Sequence, residues 1–368
     1  MRLRGSLANC RLRFQREGKG HVAFMGGSIT EMDGYRPMVM EILERRFPDT
    51  ELTFTDAGIA STCSTTGAFR LGRDVLGKGP VDLFFVEFAV NDDQDAAHTR
   101  RECLRGMEGI VRHTRRHNPK ADIVIVYFVN PGMLDLLQAG KTPVPMAAHE
   151  TVARHYRCST IHLAREVAQR IAAGKLTWKV YGGTHPRPAG NRIAAEMIDQ
   201  LMAQAWKEPL PADKQPSPYP MPEPLDPKSY TRGRLIAPGE AKAESGWTLG
   251  APDWKALPGR CRGRFVKQTL LSAAEPGAEL TLAFSGTAIG VYVLAGPDAG
   301  IVEARIDGGG FEAFDLYHRF SRGLHYPRTV VFAADLEPGK HTLVLRTSDH
   351  RNPKSQGHAA RILAFAAN

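Results

Sequence analysis

Strand-like and helix-like hydrophobic patterns alternate along the first part of the chain. HVAFM (21–25), ELTFTDAG (51–58), VDLFFVEFAV (81–90), ADIVIVYFV (121–129) and CSTIHL (158–163) are short apolar or alternating runs that predict strands. VDLFFVEFAV is nearly continuous in apolar residues, as a central parallel strand buried on both faces should be. Between them, periodic stretches predict helices over 35–46, 64–76, 97–117 and 188–206. Strand–helix alternation at this spacing predicts a parallel sheet covered by helices on both faces, an α/β/α sandwich. Such sheets bind ligands at the carboxyl ends of their strands, so functional residues are expected just after the first three.

The pattern changes near residue 208. The segment EPLPADKQPSPYPMPEPLDP (208–227) carries eight prolines, which fix φ and remove amide donors. It predicts an extended connector, either free or laid across a domain surface, between a first domain at 1–207 and a second at 229–368, the linker spanning 208–228. Beyond it, short alternating runs recur at 263–271, 278–286, 288–296, 300–308, 328–336, 340–348 and 359–365, with Gly, Pro and Asp between them. That texture predicts an antiparallel β-sandwich of jelly-roll type.

Composition narrows the class. With 42% hydrophobic and 24% charged residues the chain can build cores, which excludes disorder throughout. No apolar run approaches the ~20 residues of a membrane-spanning helix, so no membrane partner is expected. The five cysteines (Cys10, Cys63, Cys103, Cys158, Cys261) are scattered and form neither a disulfide framework nor a metal-knuckle spacing. A net charge of +9 admits an anionic partner, but the densest basic cluster, Arg112, Arg115 and Arg116, has helical spacing and reads as a solvated face. Without a basic stripe and interleaved aromatics, no nucleic-acid partner is expected. The amino terminus MRLRGSLANCRLRFQREGKG lacks the apolar core of a signal peptide and leaves the compartment open, secretion and the periplasm included.

Four segments at the expected strand ends carry candidate chemistry. MGGSIT (25–30) places Ser28 after two glycines at the start of a helix, where free amides and the positive helix end favour a nucleophile and an oxyanion. The small-residue loop DAGIASTCSTTGAFRL (56–71) can bring its backbone close to a ligand, or can be a compact crossover turn. EFAVNDD (87–93) offers Asn91, whose amide can donate to an oxyanion or merely cap the next helix. In YGGTHPRPAGNRIAAEMI (181–198), His185 sits in a Gly/Pro-rich loop from which an imidazole can accept a nucleophile's proton.

Taken in order, these four segments resemble the blocks of the SGNH hydrolases, the GDSL-like esterase superfamily. GGSIT is similar to the nucleophile block, DAGIAST to the glycine block, AVND to the Gly-x-Asn-Asp block and GGTHP to the Asp-x-x-His block, over about residues 20–205. GYRPMV, TGAFRL and HYPRTV extend the resemblance to its saccharide-directed bacterial esterases. The resemblance implies a flavodoxin-like first domain, with Ser28 as nucleophile and His185 as general base and then acid. It also implies an oxyanion hole of the Ser28 amide, the Ser61 amide and the Asn91 side chain. Ser61 stands where the family usually has glycine. Gly27 replaces the Asp of Gly-Asp-Ser, Ala89 replaces a glycine, and the family's acid three residues before the histidine falls on Gly182. The imidazole must then be oriented by a backbone carbonyl such as that of Gly182, giving a Ser–His dyad, or by Glu87 or Asp92.

The expected activity is a metal-independent, cofactor-free serine esterase that removes small acyl groups, acetyl first, from an acylated saccharide. The alternatives are a lipid or thioester acylhydrolase and a non-catalytic carbohydrate-binding protein on the same scaffold. GRDVLGKG (72–79) lacks the Ser or Thr that completes a phosphate loop, and HYRCSTIH (155–162) straddles a helix end and a strand, so neither predicts a nucleotide or metal site. In the second domain, DLYHRFSRGLHYP (315–327) supplies Tyr317, His318, Phe320, His325 and Tyr326 for glycan contact or for packing between domains. SDHRNPKSQGH (348–358) could alternatively shape the serine site.

Overall fold

Five strands of the first unit form one parallel sheet: β1 (Lys19–Gly26), β2 (Glu51–Gly58), β3 (Leu83–Glu87), β4 (Asp122–Val126) and β5 (Ser159–Ile161). Their order, β2-β1-β3-β4-β5, is the flavodoxin-like doubly wound arrangement, with the chain reversing direction across the sheet between β1 and β3. The computed structural model describes residues 1–368, which divide into a unit at 1–231 and another at 232–368. Every residue of β3 and β4 is buried, as near-continuous apolar runs require of strands covered on both sides.

Eleven helices accompany the sheet: α1 (Ala8–Glu17), α2 (Ser28–Glu31), α3 (Tyr35–Arg46), α4 (Ser64–Asp74), α5 (Ala89–Gln94), α6 (Arg100–His117), α7 (Pro131–Gln138), α8 (Val144–His155), α9 (Leu163–Ala172), α10 (Trp178–Tyr181) and α11 (Pro188–Ala205). In α3, Tyr35, Val39 and Leu43 recur every four residues and are all buried. A capping box of Thr99 and Glu102 starts α6, satisfying amides that would otherwise lack partners.

Two expectations for this unit need correction. The run expected to be a strand to residue 90 leaves the sheet at Glu87 and begins a helix at Ala89. Phe88, Ala89 and Val90 are buried in either conformation, so apolarity alone could not mark the change. The boundary expected at a 208–228 linker moves to 231/232, because the proline-rich segment takes the second of its two expected courses and is laid across the first unit as a strap. Arg11 donates to the Glu208 carbonyl, Asn9 exchanges hydrogen bonds with Ser217, Tyr219 donates to Asp122, and Arg112 donates to the Pro222 carbonyl. Prolines cannot donate, so the carbonyls accept from cationic side chains of α1 and α6 instead.

The second unit is a sandwich of two antiparallel sheets. One has the order β13-β12-β15-β10-β7 and the other β14-β11-β16-β9-β8, with β6 beside β16. These strands are β6 (Arg234–Ile236), β7 (Lys242–Ser245), β8 (Thr248–Gly250), β9 (Leu270–Ala273), β10 (Glu279–Gly286), β11 (Ile289–Ala295), β12 (Ile301–Ile306), β13 (Glu312–Asp315), β14 (Tyr326–Ala333), β15 (Gly339–Thr347) and β16 (Ala360–Ala367). Alternate residues of the paired strands β10 and β15, among them Leu280, Leu282, Leu343 and Leu345, pack with Val291, Val293 and Phe365 into its core. The expected strand at 263–271 begins only at Leu270, because 263–266 forms a helical turn that buries Phe265 and leaves Val266 exposed. The aromatic loop is also less available than its sequence suggests. Tyr317, His325 and Tyr326 are buried, and only Phe320 is largely exposed, tilted against His318 and under the Arg319 guanidinium.

Candidate active site

Register brings the three candidate loops to one edge. Gly26, at the end of β1, pairs with Gly58 of β2 on one side and with Glu87 of β3 on the other. Ser28, Ser61 and Asn91 each follow within a few residues of those positions, and the parallel direction places all three on the same rim. Strand polarity, not sequence proximity, assembles the site.

Ser28 opens the one-turn helix α2, whose amides of Glu31 and Met32 bond back to the carbonyls of Gly27 and Ser28. Its hydroxyl is 2.7 Å from Nε2 of His185, 157 residues later. The histidine loop is held from both sides. The Arg187 amide donates to the Tyr181 carbonyl at 2.9 Å, and Asn191 donates from Nδ2 to the Pro186 carbonyl at 2.8 Å. Pro188 then starts α11 at the position where a missing amide costs nothing.

Asn91 lies directly over Gly27, where a Cβ would come within 2.1 Å of its Oδ1. The replacement of the family's Asp by Gly27 therefore has a local reason: any side chain there would displace the carboxamide. Asn91 donates from Nδ2 to Asp95 Oδ2 at 2.8 Å, an i, i+4 pair on α5 that leaves its second amide hydrogen free to point elsewhere. Ser61 adopts φ +72°, the left-handed conformation for which glycine is the usual choice. The serine thus keeps a glycine-like backbone course at the family's glycine position. The preceding Ala60 amide donates to Glu31 Oε2 at 2.9 Å.

None of the three groups expected to orient His185 does so. The exposed imidazole makes no hydrogen bond beyond that to Ser28. Gly182 has φ +112°, its amide donates to the Trp178 carbonyl, and its carbonyl makes no hydrogen bond to His185. Glu87 is completely buried, accepts only weakly from Thr30 Oγ1 (3.5 Å), leaves Oε1 without a hydrogen-bond partner, and has no ion pair. Burial pushes its carboxyl up to about 8, so near neutrality it is mostly uncharged and cannot stabilise an imidazolium. Asp92 is committed elsewhere. Burial alone would raise its pKa, but the adjacent His98 and His149 hold it below the ordinary carboxylate range.

Three supporting residues escaped the sequence reading. Arg70, fully buried, donates to the Gly26 and Ala57 carbonyls (3.0 and 2.7 Å) and to Thr62 Oγ1, tying the ends of β1 and β2 to the glycine-block loop. Glu31 fixes the Ala60 amide, and Asp95 fixes Asn91. The spacing of Asn91 and Asp95 on one helix face was the only signal available for any of them.

Two overlapping groups have the donor chemistry for a metal: Cys63, Asp92 and His98, and Asp92, Cys103 and His149. Both depend on Asp92, whose two oxygens already accept from Ser64 N, Ser64 Oγ and His149 Nε2 at 2.7–2.9 Å. Neither group presents the four unengaged ligands of a closed tetrahedral site.

The parallel β2-β1-β3-β4-β5 sheet with a serine–histidine pair at its carboxyl edge defines the class of the first unit as an α/β hydrolytic domain of the SGNH type. Residues 24–193 match the model of the GDSL-like lipase/acylhydrolase family, a match that falls wholly within the first unit. Two crystal structures of a two-domain esterase (CEX) active on acetylated mannans match both units in fold. The one co-crystallized with mannopentaose has a TM-score of 0.78 and 20% identity, covering 99% of this chain and 95% of that one. The other has a TM-score of 0.79 and 21% identity, covering 99% and 96%. No curated protein matches the sequence.

Proposed function

We propose that the protein is a serine esterase that removes acetyl groups from an acetylated saccharide. The observation that carries this reading is the 2.7 Å contact between Ser28 Oγ and His185 Nε2, made across 157 residues at the rim where Asn91 also stands. His185 Nε2 takes the Ser28 proton as Oγ attacks the acetyl carbonyl, and the tetrahedral oxyanion is held by the amides of Ser28 and Ser61 and by Asn91 Nδ2. Collapse expels the sugar hydroxyl, which leaves with the proton from His185, and an acetyl-Ser28 intermediate remains. Water, deprotonated by the same nitrogen, releases acetate and restores the serine. With no carboxylate on the ring, the chemistry runs as a dyad.

The substrate class comes from two directions. The open rim carries no large apolar lid in the sequence, which disfavours a lipid chain, and the matched two-domain esterase acts on acetylated mannans. Acetate release from acetylated mannan tests the proposal. Wild type should turn over, Ser28→Ala and His185→Ala should lose at least about 10³ in kcat, and Asn91→Ala should lose about 10²–10³, the usual magnitude for one oxyanion donor. An inert wild type that still binds manno-oligosaccharides would overturn it in favour of a carbohydrate-binding protein on a hydrolase scaffold.

A further inference from the structure

Asp92, the residue after Asn91, has no solvent-accessible surface, and its carboxylate is the meeting point of four elements. Its Oδ1 accepts from the Ser64 amide at 2.7 Å, at the start of α4. Its Oδ2 accepts from Ser64 Oγ at 2.7 Å and from His149 Nε2, in α8, at 2.9 Å. His98 Nδ1, in the turn before α6, stands 3.5 Å from Oδ1. Helix α5, which carries both Asn91 and Asp92, has only six residues and no side-chain cap. A helix this short does not hold its own orientation, because a turn and a half of hydrogen bonds barely offsets nucleation. Its placement must come from outside.

The need for placement is acute at Asn91. Its Oδ1 is wedged against Gly27 and is buried without a hydrogen-bond partner, while Nδ2 is tied to Asp95, the residue that ends the same helix. Two sets of side-chain contacts fix α5 against the rest of the domain: Asp93 Oδ2 accepts from Asn130 Nδ2 at 2.8 Å, and the Asp92 cluster grips the residue next to Asn91. Of that cluster's donors, Ser64 belongs to the glycine-block segment, but His149 comes from a helix with no other part in the site. His149 is fully buried and makes one hydrogen bond, to Asp92, and its Nδ1 has no partner. As packing, an imidazole with an orphaned nitrogen is inferior to an aliphatic side chain. As a directional donor to a buried carboxylate it is well suited.

We infer that His149 is a positioning residue for the oxyanion hole: by holding Asp92 it fixes α5, and through α5 the carboxamide of Asn91. The inference rests on the esterase reading of Ser28, His185 and Asn91. Because an oxyanion donor acts in the transition state, loss of its alignment should lower kcat with little change in KM.

The experiment is a double-mutant cycle on the full chain, assayed with p-nitrophenyl acetate and acetylated mannan, with thermal melts in parallel. His149→Leu should lower kcat about tenfold or more and leave KM within about twofold. His149→Gln, whose Nε2 can still donate to Asp92, should restore most of that loss. In an Asn91→Ala background, His149→Leu should change kcat by less than about twofold, because the group it aligns is already gone. Equal losses in both backgrounds, no recovery in His149→Gln, or an effect confined to KM would each overturn the inference while leaving the esterase reading intact. If His149→Leu does not fold, Asp92→Asn breaks the same contact from the other side and is held to the same cycle. A wild type with no more activity than Ser28→Ala would overturn the esterase reading and this inference with it.

Discussion

Gly182 occupies the position at which the SGNH pattern carries its acid, and its surroundings explain why no acid is there. A Cβ would stand 2.1 Å from the Arg187 amide nitrogen, and φ is +112°, a region that side-chain-bearing residues rarely adopt. The same Arg187 amide closes the loop onto the Tyr181 carbonyl, so room for a carboxylate could be made only by opening the turn that presents His185. Restoring the family residue by Gly182→Asp should therefore lower kcat about tenfold or more and lower Tm, since backbone strain of at least about 1–2 kcal/mol accompanies the change. A rise in kcat would mean that the loop relaxes into an ordinary triad. Residue identity at Gly27, Ser61 and Gly182 was plain in the sequence, but the reasons for the departures were not. They lie in Asn91 pressing on Gly27 and in Arg187 against Gly182, whereas the positive φ of Ser61 favours glycine and gives the serine no structural explanation.

Among the elements, legibility followed burial. The helix expected over 35–46 and the strand over 51–58 match α3 and β2, the first because Tyr35, Val39 and Leu43 face one core, the second because half-buried Leu52 and Phe54 alternate with exposed Glu51 and Thr53. Strands β7, β8 and β13 were missed for the opposite reason: nearly all their residues are exposed, so no alternation marks them. The strap at 208–231 was recognisable as extended from its prolines, yet its attachment was invisible. It is anchored by Glu108, a buried residue of α6 whose carboxylate accepts from Leu225 N (2.6 Å), Asp226 N (3.0 Å) and Ser229 Oγ (2.5 Å). Asp226 in turn is clamped by Arg105 and Arg101 at 2.9 and 2.8 Å. Glu108→Ala would leave those donors unsatisfied at about 1–3 kcal/mol for each one that water cannot reach. It should lower Tm by several degrees and expose Lys214 and Lys228 to trypsin. Unchanged proteolysis would show that the prolines alone hold the strap.

At the scale of the whole molecule, buried acids tie stability to pH, and Glu87 is the one raised furthest into the neutral range. Burial holds Glu87 near 8 in the folded chain against an ordinary value of 4.5 once unfolded. Between those values the unfolded chain gives up a proton that the native state keeps, so stability falls as pH rises, by at most about 1.4 kcal/mol per unit, and levels off above 8. Glu87→Gln removes this contribution. The variant should gain stability relative to wild type between pH 5 and pH 8 in denaturant titrations, whereas a difference independent of pH would mean that Glu87 is already ionised in the native state. No helix is long and apolar enough to cross a membrane, and the two units differ in architecture as their sequences do.

By itself the sequence marked which residues are candidates for chemistry and which segments must be buried, because side-chain type and hydrophobic period are local properties that survive without coordinates. That was enough for the α/β and β-sandwich classes, for naming Ser28, Asn91 and His185 as the candidates that the fold brings to one rim, and for the family resemblance of the first unit. Only the tertiary structure decided what surrounds those residues. Whether Glu87 meets a cation, whether a loop admits a Cβ at position 182, and whether a histidine 58 residues beyond Asn91 reaches its neighbour all depend on packing between segments remote in the chain, which no local pattern encodes.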